Sequence, residues 1–261
     1  MLKKSLFITG IVLFSMVCGA QENRFNSFDG VPIVYTDQGE GRAVLLIHGF
    51  INSRKSWDNT ALKNDLLAKG YRVIIPDLRG NGDSGKPQND DAYINNAEVT
   101  DLKLLMDHLE VKSYSAVGYS RGSILLAKLL TVDKRISKAV LGGMGIDFTN
   151  PKWNKRIMFA NAFKGDSNEQ TKDAVDYAKS IQADLRSLHL QQKHQPVTSI
   201  NELNAISTEV LVVCGDQDKE NGNPNTLART FENGNFTMVK GNHNKTYKTK
   251  EFANVIIQFL K

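Results

Sequence analysis

Six apolar stretches recur along the chain: "RAVLLIHG" (42–49), "YRVIIPD" (71–77), "YSAVGYS" (114–120), "KAVLGGM" (138–144), "EVLVVCG" (209–215) and "NFTMVKG" (235–241). They are continuous rather than strictly alternating, the pattern of strands covered on both faces in a parallel sheet flanked by helices. Between them, residues 60–69, 97–109, 121–130, 226–232 and 248–260 carry apolar side chains at helical spacing, for example Val99, Leu102, Leu105, Met106 and Leu109. Ahead of the first stretch, "RFNSFDGVPIVYTDQG" sets an Asp29-Gly30 turn between two alternating segments, which predicts a hairpin and an antiparallel start to the sheet. The rhythm stops between Gly145 and Ser207, where no strand-like run occurs and helix-like stretches near 153–163 and 169–188 lie between Asn150-Pro151 and Pro196. The pattern predicts an α/β fold: a mostly parallel central sheet with an N-terminal antiparallel hairpin, helices on both faces, and a small helical insertion. The core would run over 21–145 and 208–261, with the insertion over 146–207.

The length of 261 residues suits one large α/β domain. With 41% hydrophobic and 23% charged residues and no repeat, the composition is that of a globular protein rather than a disordered one. The net charge of +5 is spread among acids such as Asp90, Asp91, Asp173 and Asp176, with no basic stripe or interleaved aromatics, so no nucleic-acid partner is expected.

Charge clusters with apolar residues only at the N-terminus. Lys3 and Lys4 precede an apolar run, Leu6 to Val17, and the small residues Cys18 and Ala20 precede Gln21, which predicts a signal peptide over 1–20 and export to the periplasm or beyond. An uncleaved anchor is disfavoured because the run falls short of the ~20 residues of a spanning helix, so no stable membrane insertion is expected after cleavage. A lipoprotein through Cys18 is disfavoured because Ser15-Met16-Val17 lacks the small residue usual before a lipidated cysteine. Cleavage would leave Cys214 alone, which excludes an intramolecular disulfide.

The segment "VGYSRGSILLAKLL" (117–130) carries the chemistry: a strand ends at Ser120 and turns at once into a helix. This places the hydroxyl on a sharp corner at the carboxyl edge of the sheet, where ligands bind in open α/β folds. Side chains at Gly118 and Gly122 would collide where the helix folds back across the strand. A serine hydroxyl is a weak nucleophile alone and needs a base oriented by a third group. Both follow in chain order, Asp218 in the loop after the strand 209–215 and His243 in the loop before the last helix. Asp218, three residues beyond Gly215, is preferred over Asp216. The turn after "LLIHGF" would aim the backbone N–H of Phe50 at the site, and with the N–H of Arg121 at a helix N-terminus would form an oxyanion hole. His48 then reads as a structural residue of that turn, Cys214 as a packed small residue, and His108, His189 and His194 as surface or packing residues without metal-ligand spacing. Neither a metal nor a cofactor is expected.

With "HGF", "DLRGNGDSGKP", "GYSRG", "GDQD" and "GNH" in this order, the chain resembles the α/β-hydrolase fold superfamily over nearly all of its length except the insertion, which corresponds to the family's cap. The resemblance implies Ser120 as nucleophile, Asp218 as acid, His243 as base, and Phe50 and Arg121 as backbone donors, with Arg79, Asp83 and Ser84 stabilising a loop. Haloalkane dehalogenases and epoxide hydrolases of this fold carry Asp at the elbow, where this chain has Ser120, and their His-Gly-x-Pro turn is absent because Ile51 follows Phe50. Asn81 stands where many relatives have His, and Ser123 where a further Gly is common.

The expected activity is a serine hydrolase cleaving an ester or related acyl bond of a small-molecule substrate. A carbon–carbon bond hydrolase, an aminopeptidase-like hydrolase, a perhydrolase and a non-catalytic ligand-binding member remain alternatives. The acids Asp166, Glu169, Asp173 and Asp176, interleaved with Lys164 and Lys172, read as a solvated helix face rather than an amine-binding cluster.

Overall fold

Asp29-Gly30 turns the chain between β1 (Glu22–Asn26) and β2 (Pro32–Gln38), with Gly30 at φ 79°, a conformation glycine adopts freely. The strands pair antiparallel, Arg24 opposite Val34, as the hairpin signal predicts. The computed structural model describes residues 22–261; the expected signal segment 1–20, with Cys18 in it, lies outside the described residues.

Six further strands follow: β3 (Ala43–Ile47), β4 (Arg72–Pro76), β5 (Tyr114–Tyr119), β6 (Ile136–Gly142), β7 (Glu209–Gly215) and β8 (Gly234–Val239). Together they form an eight-stranded sheet in the order β1-β2-β4-β3-β5-β6-β7-β8. The β2–β4 pair is also antiparallel, and the strands from β4 to β8 run parallel.

The continuous apolar runs resolve into two faces. Leu45, Ile47, Ile74, Ala116, Ala139, Leu141, Val210 and Val212 pack under α2 (Ala97–His108), α3 (Arg121–Val132) and α8 (Pro224–Ala228). Their neighbours Val44, Leu46, Val73, Ile75, Val117, Val140, Leu211 and Val213 pack under α1 (Ala61–Ala68) and α9 (Lys250–Leu260). Each valine, leucine or isoleucine among them contributes about 1.5–3 kcal/mol by leaving water, so burial on two sides fixes both strand register and helix placement.

From β3 the chain crosses to β4 on one side and later returns to β5 on the other. Ile47 stands opposite Gly118, so the turns beginning at His48 and at Ser120 leave the carboxyl edge side by side. This reversal opens the crevice in which the candidate site lies.

Between β6 and β7 the chain forms α4 (Asn154–Lys164), α5 (Lys172–Ser180), α6 (Leu185–Lys193) and the short α7 (Ile200–Asn204), and no strand. The single helix expected near 169–188 is instead two. Gln182, at φ 55°, breaks it, and Asp184 restarts it by accepting a 2.7 Å hydrogen bond from the backbone N–H of Ser187. Val175 and Ala178 of α5 share a cluster with Phe163 and with Leu188 of α6, whereas Leu190 of α6 packs against Ala92 and Tyr93. The helix expected at 226–232 lies slightly earlier, capped by Asn223 and begun by Pro224.

Candidate active site

Ser120 occupies the corner between β5 and α3 at φ 53° and ψ −121°, a region that strains any residue with a side chain. The strain persists because both flanking glycines are locked. A Cβ at Gly118 would stand 2.4 Å from the Gly122 carbonyl oxygen, and one at Gly122 would stand 2.4 Å from that of Ile47. The Ser120 N–H donates to Gly142 O at 2.8 Å, and Ser123 Oγ lies 2.8 Å from the same oxygen and 2.9 Å from Gly118 O. Ser123, at the position where relatives often have glycine, thus ties the elbow to β5 and β6.

The three residues proposed from chain order meet. His243 Nε2 lies 2.8 Å from Ser120 Oγ, and His243 Nδ1 lies 2.7 Å from Asp218 Oδ2. The Asp218 side chain is only 2% exposed, which keeps its charge against the imidazole unscreened, whereas that of His243 is 20% exposed. Tyr119 donates its hydroxyl proton to the His243 carbonyl at 2.7 Å, with its ring beside the imidazole. Burial, and then the nearby Asp218 charge, hold that phenol above its ordinary pKa, so it remains a donor. Asp216, the rejected acid, instead accepts the backbone N–H of Gly241 at 3.0 Å and shapes the loop that carries His243.

His48 is fully buried, and burial pushes its pKa down. Its Nε2 accepts from the Leu78 N–H at 3.1 Å, which leaves Nδ1 to donate to Gly49 O at 2.8 Å; the ring is neutral and structural, as expected. Cys214 is buried, and desolvation followed by the Asp218 charge pushes its thiol up to about 12. His189 is buried against Ala160 O at 2.7 Å, and His194 approaches Asp90 at 2.5 Å. Among the described residues, no group of His, Cys, Asp or Glu is arranged to hold a metal ion, and no helix is long and apolar enough to cross a membrane.

Ser120 and His243 open into a cavity of about 670 Å³. Phe50 and Arg121, the proposed backbone donors, line it beside them. The insertion supplies much of the remaining wall through Trp153, Phe159 and Tyr177. Phe159 and Phe163 pack edge-on against Phe50, at 5.9 and 5.3 Å between ring centres. Of the insertion's apolar residues, Trp153 and Phe159 therefore face the cavity, Phe163 is buried, and Ile157 is 41% exposed. The acids Asp166, Glu169, Asp173 and Asp176 are exposed, as the helix-face reading expects, and of these Asp173 reaches the cavity rim.

Several residues that hold the site were not legible as partners. The Arg121 guanidinium is buried with Glu98 of α2 and also donates to Gln191 O of α6 at 3.0 Å. Gln191 in turn donates to Arg79 O at 2.7 Å and to Asn81, which gives Asn81 a role in seating α6. Arg79 is held by Asp101 at 2.6 Å and Asp29 at 2.8 Å, Asp83 pairs with Arg54 at 2.8 Å, and Ser84 bonds Asp77 O at 2.7 Å. This is the loop-stabilising role expected of Arg79, Asp83 and Ser84. Such pairs join residues far apart in sequence, so local pattern does not reveal them.

A mostly parallel eight-stranded sheet with a strained serine on a strand-to-helix turn at its carboxyl edge defines the α/β-hydrolase fold. The chain has that fold, and the family model described as alpha/beta hydrolase fold matches residues 42–164. Among curated proteins, a putative non-heme chloroperoxidase of Synechocystis sp. is 37% identical over 113 residues, 42% of this chain and 40% of that protein. An epoxide hydrolase of Caballeronia sordidicola is 36% identical over 95 residues, 36% of this chain and 28% of that protein. The chain thus spans less than half the length of these curated relatives. An esterase from Exiguobacterium antarcticum superposes with a TM-score of 0.77 over 92% of this chain and 99% of that one, at 18% identity, a likeness of fold.

Proposed function

We propose that the protein is an exported serine hydrolase that cleaves an ester or related acyl bond through an acyl-enzyme on Ser120. The observation that carries the reading is the unbroken chain from Asp218 Oδ2 through His243 to Ser120 Oγ, at 2.7 and 2.8 Å, opening into the cavity. His243 Nε2 takes the Ser120 proton as Oγ bonds to the substrate carbonyl carbon, and buried Asp218 stabilises the imidazolium. The N–H groups of Phe50 and Arg121 receive the oxyanion, the latter helped by the positive end of α3. As the tetrahedral species collapses, the bond to the leaving group breaks and His243 returns the proton to it. Water, deprotonated by His243, then releases the acid and restores Ser120.

The named relatives include an epoxide hydrolase, but Ser120 disfavours that chemistry here. Opening an epoxide with a serine would leave an ether on the protein, with no carbonyl for water to attack. The chloroperoxidase-named relative favours a second outcome of the same acyl-enzyme, in which hydrogen peroxide replaces water and yields a peracid. Export is supported by the N-terminal segment 1–20.

A fluorophosphonate probe tests the nucleophile directly. Intact mass should show one adduct, peptide mapping should place it on Ser120, and Ser120→Ala should abolish both the adduct and short-ester turnover. An unlabelled native protein, or ester hydrolysis undiminished in Ser120→Ala, refutes the reading.

A further inference from the structure

Arg156 lies in the first turn of α4 and lines the cavity that holds Ser120 and His243. Its guanidinium donates to Pro151 O at 2.7 Å and approaches Gln195 O at 3.5 Å, both neutral, and it forms no ion pair with a described residue. The other cavity cations differ: Arg121 is paired with Glu98, Lys155 with Glu220 at 2.9 Å, and Lys248 is exposed to water. Arg156 is half-buried, and desolvation with no opposing carboxylate draws its pKa below the ordinary arginine value. Nor does the helix help, because a cation in the first turn faces the positive end of the dipole.

Beside it stand two glutamines of the insertion. Gln192 and Gln195 are each 5% exposed and line the same cavity, yet neither side-chain amide hydrogen-bonds to a described residue. Both amides open to the cavity, where water or a ligand supplies the hydrogen bonds that the described residues do not. One wall therefore gathers an uncompensated guanidinium, which can only donate, and two amides whose NH₂ groups can donate beside it.

We propose that Arg156, Gln192 and Gln195 form an anion subsite that takes a carboxylate carried by the substrate, so that the preferred substrates are esters or related acyl compounds bearing a free acid group. This inference rests on Ser120 being the nucleophile of the same cavity. A planar carboxylate matches the guanidinium fork and has lone pairs left for both amides. A neutral polar group would satisfy the glutamines but leave the arginine charge unanswered. An amine is disfavoured because the acid on the insertion side of the cavity, Asp173, sits exposed at the rim, where water already solvates it.

The nitrophenyl half-ester of adipic acid, compared with the same ester whose free acid is converted to a primary amide, reads the subsite as a ratio of kcat/KM values. The native protein should prefer the acid by about tenfold or more, Arg156→Gln should bring the ratio close to one, and Arg156→Lys should fall between. A ratio that Arg156→Gln leaves in place, or a native preference for the amide, overturns the proposal. Calorimetry of adipate against Ser120→Ala gives a readout without turnover, and binding should weaken about tenfold or more when Arg156→Gln is added. Adipate binding that depends on Arg156 without Ser120-dependent turnover would sink the hydrolase reading alone. Ser120-dependent turnover with neither acid preference nor adipate binding would sink the subsite alone.

Discussion

Arg121 and Glu98 form an ion pair in which each side chain is only 3% exposed. The arginine directly follows Ser120, so the pair anchors the first turn of α3 to α2, and its bond to Gln191 O extends the anchor to α6. Glu98→Ala would strand a buried cation and should destabilise the protein by about 3–5 kcal/mol, read as the shift in urea midpoint multiplied by the m-value. Replacing both partners, Glu98→Leu with Arg121→Met, should recover most of that loss. Since Arg121 is proposed to act through its backbone N–H, the double variant should also retain ester hydrolysis far above that of Ser120→Ala.

The two acids after β7 separate cleanly by function. Asp218→Asn keeps the geometry but favours the wrong imidazole tautomer, and kcat should fall by about 10⁴-fold, as the corresponding change does in the well-studied serine protease triad. Asp216→Asn removes a carboxylate that accepts from Gly241 N–H, and its kcat should change by no more than about tenfold. Steady-state ester hydrolysis distinguishes them, and comparable losses would mean that Asp216 shares the role.

Gly122 passes over the end of β3 without room for a methyl group. Gly122→Ala should cost about 1–3 kcal/mol or more in urea unfolding, because the obstacle is backbone rather than a movable side chain. Activity should fall with it, since the displaced segment carries Ser120 and the N–H of Arg121.

Alkaline pH should weaken the fold through groups whose folded pKa values are raised. Cys214 keeps its proton to about pH 12 when folded but releases it near its ordinary value of 9.0 when unfolded. Between these values the unfolded state holds fewer protons, so stability falls as pH rises. Burial of Tyr114 and Tyr119 acts in the same direction above their ordinary value of 10.0. The melting temperature should therefore decline through this window, and less steeply in Cys214→Ala. At about pH 8 the folded thiol is roughly 10⁻⁴ ionised, so it should resist a disulfide reagent until the protein unfolds.

The fold was legible because burial on two faces leaves uninterrupted apolar runs, and those around Leu45, Ile74, Val117, Val140 and Val212 all became strands. The order of Ser120, Asp218 and His243 was legible because strand ends deliver loops to one edge of the sheet. The break at Gln182 was missed because the apolar spacing of 169–188 continues through it, although Asp184 three residues ahead of Ser187 was a readable cap. The capping box of Ser199 and Glu202 that starts α7 was readable in the same way. Glu98, Asn81 and Gln191 were beyond reach for another reason. A polar residue in a helix or loop reads as solvated until the fold places its partner, and these partners lie 23 to 110 residues away.

The backbone at Ser120 sets evolution and engineering against one another at a single residue. Ser120→Ala retains a Cβ and with it the strained corner, whereas Ser120→Gly would relax a conformation that disfavours a side chain by about 1–3 kcal/mol. Selection for thermal resistance alone would therefore favour glycine at this position, and its product would be a sturdier fold with no acyl acceptor. Stabilisation screens on this protein need an activity counter-screen from the first round.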